Sequence, residues 1–167
     1  MSSEATLTAY LESIQEQLDD GLGKIDHCLK QLSPEEAWWR PSPDMNSIAN
    51  LLLHLSGNLR QWFISGLSDT PDLRERQQEF DDRSLRSPDL LQQQLKETIA
   101  EARKVLMSQS WQDLLTPRRV QQFDLNGFQT IADSLGHFRG HVQEIIHMTR
   151  VQKGEEYRFD FVPEKPD

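Results

Sequence analysis

The sequence predicts an all-α protein: a four-helix bundle with a short irregular or extended segment before its last helix. Apolar residues recur at steps of three and four over four long stretches, the period of helices that each bury one stripe. Caps and first-turn prolines punctuate the gaps between those stretches. Strand propensity is slight and no internal repeat is visible. At 167 residues the chain has the length of one domain, spanning positions 1–167, and is large enough to bury a core without staples.

The first stretch carries Leu7, Leu11, Ile14, Leu18, Leu22, Ile25, Leu29 and Leu32. Gly21 and Gly23 weaken its middle by about 1 kcal/mol each relative to alanine, so packing has to hold it. Ser33-Pro34-Glu35-Glu36 reads as a cap followed by proline at the first helical position, starting a short turn through Trp38 and Trp39. The proline-rich run RPSPDMN is a loop, after which Asn46 is expected to cap a second long helix from Ser47 to Ser65. Ile48, Leu52, Leu55, Leu59 and Phe63 face inward on it, with Arg60 and Gln61 outward. The charged connection SDTPDLRERQQEFDDRS looks too polar to be core, and Ser87-Pro88 opens a third helix to about Ser108. Leu91, Leu95, Ile99, Ala102 and Leu106 form its buried side. Alternation over Arg119 to Asp124 predicts a short extended piece or hairpin, and Asn126 begins a fourth helix through about Val151 that Lys153-Gly154 ends. The tail YRFDFVP alternates Tyr157, Phe159 and Phe161, a pattern for an extended strand laid over the bundle or a partner.

A net charge of -9 and a pI near 5.0 argue against nucleic acid as a partner, which needs a basic surface. The single cysteine, Cys28, excludes an intramolecular disulfide framework and lies on the apolar helix face, where a small buried side chain is expected. The start MSSEATLTAYLES has neither a basic end nor a long apolar stretch. Neither a signal peptide nor a membrane span is therefore expected, and with the lone cysteine this points to the cytoplasm.

His137 and His141, in GHFRGHVQEIIHMTR, are four apart on the fourth helix. Each residue advances about 100°, so the two imidazoles stand about 40° apart on one face, whereas His147 is rotated by about -80° and points away. His54 is isolated in LLLHLSGN. Should its helix pack alongside, three rings converge on one divalent ion with positions left for water or substrate. Gly136 and Gly140 in mid-helix suggest close approach by a backbone or a ligand, and Gly57, Asn50 and Asn58 supply small and amide groups around His54. Glu144 is near the face of His137 and has four readings: orienter of a ligand, fourth ligand, proton acceptor or solvated carboxylate. Its Glu-x-x-His unit with His147 has no second copy, which sets aside a di-iron bundle. Phe138 stands where a metalloprotease of the HExxH type has its glutamate.

The runs NSIANLLLHLSGNLRQW, RERQQEF and GHFRGHVQEI, in that order, together resemble the DinB-like superfamily, in an uncharacterised bacterial branch of it, over nearly the whole chain. The resemblance implies an up-down-down-up bundle, often a homodimer, holding a divalent metal such as zinc or nickel, with iron also open. The ligands it implies are His54, His137 and His141. Relatives include thiol-dependent transferases and isomerases whose metal activates a low-molecular-weight thiol, so Glu144 becomes the candidate for proton handling. Arg74, Arg76, Glu79 and Phe80 match the branch's charged motif, and Arg74 and Arg76 are candidates to hold a carboxylate on a thiol cofactor or substrate. A hydrolase using metal-bound water is a close variant. The rival reading is a non-catalytic bundle, stabilised by metal, that acts in dimerisation, stress response or partner binding.

Overall fold

The computed structural model describes residues 2–161. Four long helices carry it: α1 (Ser3–Leu29), α3 (Ile48–Leu59), α5 (Pro88–Met107) and α7 (Gly127–Lys153). Short helices α2 (Pro34–Trp38), α4 (Arg76–Asp81) and α6 (Trp111–Leu115) sit in the connections. A hairpin of β1 (Arg118–Val120) and β2 (Phe123–Leu125) pairs antiparallel, with Val120 opposite Phe123, where alternation predicts it. Among the described residues, no helix is long and apolar enough to cross a membrane.

Cross-helix contacts fix the directions of the long helices. Tyr10 stacks on Phe128 and Gly21 abuts Phe138, so α1 and α7 run in parallel. Asp19 pairs with Arg103 and Asp26 with Gln92, so α1 and α5 are antiparallel. Asn58 bonds Ser134 while His54 meets His137, so α3 and α7 are antiparallel as well. Asn50 reaches Asp82, just before α5, and Arg60 reaches Glu101 within it, which leaves α3 and α5 parallel. The order is up-down-down-up, as the resemblance implies, and its one consecutive parallel pair, α3 and α5, requires the long connection that α4 occupies.

The expected stripes are buried. Leu7, Leu11, Ile14, Leu18 and Ile25 of α1 meet Leu91, Leu95, Ile99, Ala102 and Leu106 of α5, and Cys28 is fully enclosed. Burial pushes the Cys28 thiol pKa up. On α3 burial runs all round, from Ile48 through His54 to Ser56, because α4 and α5 flank a helix that also faces α7. The Ser33–Glu36 capping box starts α2 with Pro34 at its first position.

Several boundaries and roles differ from the sequence reading. Ser47, not Asn46, caps α3: its hydroxyl accepts from the Asn50 amide N–H while the Asn50 side chain accepts from the Ser47 N–H. The helix does not continue as α to Ser65. It widens into a π-helical turn over Arg60–Ser65, a rare form that recurs at functional sites. The charged connection is not wholly solvent-facing, since Arg74 and Glu79 within it have side chains only 4% and 11% exposed. Ser87 precedes α5 without a side-chain capping bond. In the tail, residues 157–161 form no strand. They lie across the C-terminal end of α1, where the Arg158 carbonyl meets His27 at 2.5 Å and Gln31 at 3.1 Å, and Val162 and Pro163 fall outside the described residues.

Gly21 and Gly23 separate two effects that the sequence merges. A Cβ on Gly21 would press into the fully buried Phe138 ring and reach Val142 at 3.1 Å, whereas one on Gly23 meets nothing within 4 Å. Gly21→Ala is expected to lower unfolding stability by about 1–3 kcal/mol through overpacking, and Gly23→Ala to raise it by about 1 kcal/mol through helix propensity. Urea denaturation of the two variants checks this; equal shifts of the same sign would refute the packing account.

Candidate metal centre

α3 and α7 run antiparallel, so His54 stands opposite both histidines of the GHFRGH run. Ligand-capable atoms of His54, His137 and His141 all lie within 4.8 Å of one another. The Nε2 atoms of His54 and His137 are 2.8 Å apart. Ring centroids are separated by 4.9 Å for His54 and His137, 5.0 Å for His54 and His141, and 4.5 Å for His137 and His141, each pair set edge to face. The three rings thus converge on one point, and His147, exposed on α7, does not join them.

Two carboxylates orient this cluster from outside. Glu79 Oε2 lies 3.0 Å from His54 Nδ1, and Glu144 Oε2 lies 2.7 Å from His141 Nδ1. A carboxylate beside Nδ1 holds the proton there and leaves Nε2 with its lone pair turned inward, as outer carboxylates do around bound metals. Arg74 fixes Glu79 in turn, donating from Nε to Oε1 and from Nη2 to Oε2, both at 2.7 Å. The Nη2 also stands 3.1 Å from His54 Nδ1, but the carboxylate between them accepts both protons. Arg74 Nη1 donates to Gln61 Oε1 at 2.9 Å, which ties the connection to the π-helical turn.

Gly57 makes this seat available. A Cβ there would drive into the Glu79 carboxylate and come within 3.0 Å of Arg74 Nε. Gly136 and Gly140 behave differently: both are exposed, and a Cβ on either meets nothing within 4 Å. The close approach expected at those two positions is therefore not found; it occurs at Gly21, Gly57, Gly66 and Gly127. Asn50 and Asn58 do not touch the imidazoles in the way expected of them. Asn50 donates to the carbonyls of Glu79 and Asp82, and Asn58 accepts from Ser134 at 3.0 Å.

A cavity of about 300 Å³ opens beside the rings, lined by His54, His137, Asn58, Trp62, Arg76 and Asp133 among others. Glu144 and His141 are not on that wall. Arg74 touches the cavity but is committed to Glu79 and Gln61, whereas Arg76 is exposed with its guanidinium 4.6 Å over the Phe80 ring. Phe80 itself packs on His54 with centroids 4.8 Å apart. Glu79 and Phe80 sit in a segment whose polarity reads as surface, and the match to the branch's charged motif is what marks them in the sequence.

Burial first, then the neighbouring imidazoles and arginines, lowers the His137 pKa to about 4. Burial also lowers that of His54, against the raising effect of Glu79. Burial pushes Glu79 upward, but hydrogen bonds from Arg74 and His54 outweigh it and hold the carboxyl below its ordinary value. The bond to His141 lowers Glu144. At neutral pH the site therefore offers unprotonated His54 and His137 beside two ionised carboxylates.

Two measurements follow from this geometry. Gly57→Ala is expected to cost about 2 kcal/mol by displacing a close-packed ion pair, while Gly140→Ala gains up to about 1 kcal/mol; a stabilised Gly57→Ala protein would refute the seat. In chelator, an unfolded histidine takes up its proton near pH 6.5, but folded His137 does so only near pH 4. Between those values the unfolded state binds more protons, so stability falls as pH falls from about 6.5 to about 4. Urea midpoints at pH 7 and pH 5 should show the drop, and His137→Ala should make it shallower.

Comparison with known proteins places this geometry in a fold. A conserved protein from Enterococcus faecalis superposes with a TM-score of 0.67 at 16% identity, covering 84% of this chain and 95% of its own. A DinB-like protein, YjoA, from Bacillus subtilis gives 0.65 at 13% identity, covering 88% and 96%. Identities this low bear on the fold alone, which is DinB-like. Among functionally curated proteins, no sequence matches the chain significantly. A family profile described as "Protein of unknown function (DUF1572)" matches residues 5–165, and the chain belongs to that family.

Proposed function

We propose that the protein binds one divalent metal ion through His54, His137 and His141 and uses it to activate a low-molecular-weight thiol or a water molecule. The observation that carries this reading is the convergence of three rings, two of them with Nδ1 beside a carboxylate. The donor set fits: three imidazoles with outer-sphere carboxylates are a ligand set of catalytic zinc, and nickel or iron accept the same nitrogens. When bound, the ion supplies Lewis acidity that lowers the pKa of a coordinated thiol or water.

The chain's own residues set the conditions for that chemistry. Glu79, clamped by Arg74, fixes the ring of His54, and Glu144 does the same for His141. Of the readings open for Glu144 from sequence, orientation has the most support, because its carboxylate is engaged on His141 and stands off the cavity wall. Trp62 and Phe80 supply apolar surface beside His54 and limit its contact with bulk water. The cavity at His54 and His137 gives a co-substrate its approach. No cysteine is required, since the nucleophile belongs to the co-substrate.

Untagged protein is expected to carry about one ion per chain, and His54→Ala or His141→Ala to reduce this to less than about a tenth. Elemental analysis decides it: a wild-type content as low as the variants' would sink the metal reading. A thiol that perturbs the d–d spectrum of cobalt-substituted protein would support an open coordination position. A full complement of metal with no response to thiol or exchangeable water would instead favour a metal-stabilised, non-catalytic bundle.

A further inference from the structure

Resting on the triad as metal ligands, we propose that the cavity beside His54 and His137 is a subsite for a small zwitterion carrying a carboxylate and an ammonium group. Arg76 and Asp133 are the charges that select it. At about 300 Å³ the cavity lies at the small end of small-molecule sites. Its occupant is a metabolite the size of an amino acid rather than a peptide.

The charges on its wall divide into spent and unspent. Arg74 is neutralised by Glu79 at 2.7 Å. Arg76, among the described residues, has no carboxylate within 4.0 Å, and its guanidinium is instead held over Phe80, the ring that packs on His54. A guanidinium resting on an aromatic face keeps its N–H edge available for bidentate contact with a carboxylate. Asp133 lies on α7 one turn before His137 and, among the described residues, has no basic partner within 4.0 Å either. A dianion would meet Asp133 and a simple cation would meet Arg76, so a ligand bearing both charges satisfies the wall.

Trp62 closes one side of the cavity. Its side chain is buried, it lines the same cavity, and its Nε1–H has no hydrogen-bond acceptor among the described residues. Buried indole N–H groups ordinarily find one. The π-helical turn of Arg60–Ser65 places this tryptophan beside the cavity, where its ring is an apolar wall for the ligand. Asn58 and Ser134, bonded to each other, contribute a neutral polar wall.

Calorimetry on the full chain, with stoichiometric zinc and again in chelator, distinguishes the charge requirements. The probes are L-cysteine, 3-mercaptopropionate, which lacks the ammonium group, cysteamine, which lacks the carboxylate, and L-serine, which lacks the thiol. L-cysteine is expected to bind at least about tenfold more tightly than either truncated thiol. Arg76→Gln should weaken L-cysteine and 3-mercaptopropionate about tenfold and spare cysteamine; Asp133→Asn should weaken L-cysteine and cysteamine and spare 3-mercaptopropionate. Both side chains are exposed, so circular dichroism is expected to be unchanged. Equal affinity for the three thiols, or variants that act on all of them alike, would overturn the proposal. L-serine binding as tightly as L-cysteine, with the same dependence on Arg76 and Asp133, would uphold the zwitterion subsite while failing the metal–thiol reading.

Discussion

The buried pair of Arg74 and Glu79 is the interaction on which the arrangement of the site depends. It joins three parts of the chain at one point: the connection after α3, the π-helical turn through Gln61, and His54 on α3 itself. Removing two opposite charges from water is costly, and mutual attraction alone does not reliably recover that cost. Here both Glu79 oxygens receive donors, and two of the three guanidinium nitrogens are satisfied by that carboxylate. The pair's value is specificity of position. A hydrophobic replacement of equal volume would fill the space without fixing the proton on His54 Nδ1.

Topology makes such an anchor necessary. In an up-down-down-up bundle, α3 and α5 lie side by side and parallel, so the chain must travel the full height of the bundle between them. A polar crossover of that length has little apolar surface with which to adhere. Backbone carbonyls of Glu79 and Asp82 are held by the Asn50 amide, and Trp38 Nε1 donates to the Arg86 carbonyl at 2.8 Å. The crossover is thus pinned by polar bonds to α3 and α2, and the same pinning delivers Glu79, Phe80 and Arg76 to the triad.

The long helices were legible because burial imposes a period on sequence, and the stripes on α1 and α5 are the residues that the core encloses. Caps were legible where proline and serine coincide, as at Ser33-Pro34, and misread by one residue at Asn46 and Ser47, where two competent caps are adjacent. His137 and His141 were legible as a pair by spacing, whereas His54 stood out in its apolar run beside Gly57, Asn50 and Asn58 and was joined to the pair as a ligand by the resemblance. Glycine misled on α7 because an exposed helical glycine and one under a packed side chain look alike in sequence. Arg74 and Glu79 were marked by the resemblance, but their burial as a pair was hidden: a charged segment reads as solvated unless its partners are known, and each is buried only because the other is there.

The site's asymmetry bears on where chemistry can take place. His141 is oriented by a half-exposed carboxylate, with the Glu144 side chain 40% exposed, and His54 by one that is 11% exposed and doubly braced. A surface-facing contact of the first kind is weakly held, and a buried, braced one is rigid. The cavity opens against His54 and His137, on the rigid side of the cluster, and His141 with its exposed carboxylate lies away from it. Were a metal held by the three imidazoles as proposed, His54 would be its firmly placed ligand and His141 its more adjustable one. The difference follows from the chain: Glu79 is braced by Arg74 within the crossover, whereas Glu144 stands on the same helix as His141 with no second support among the described residues.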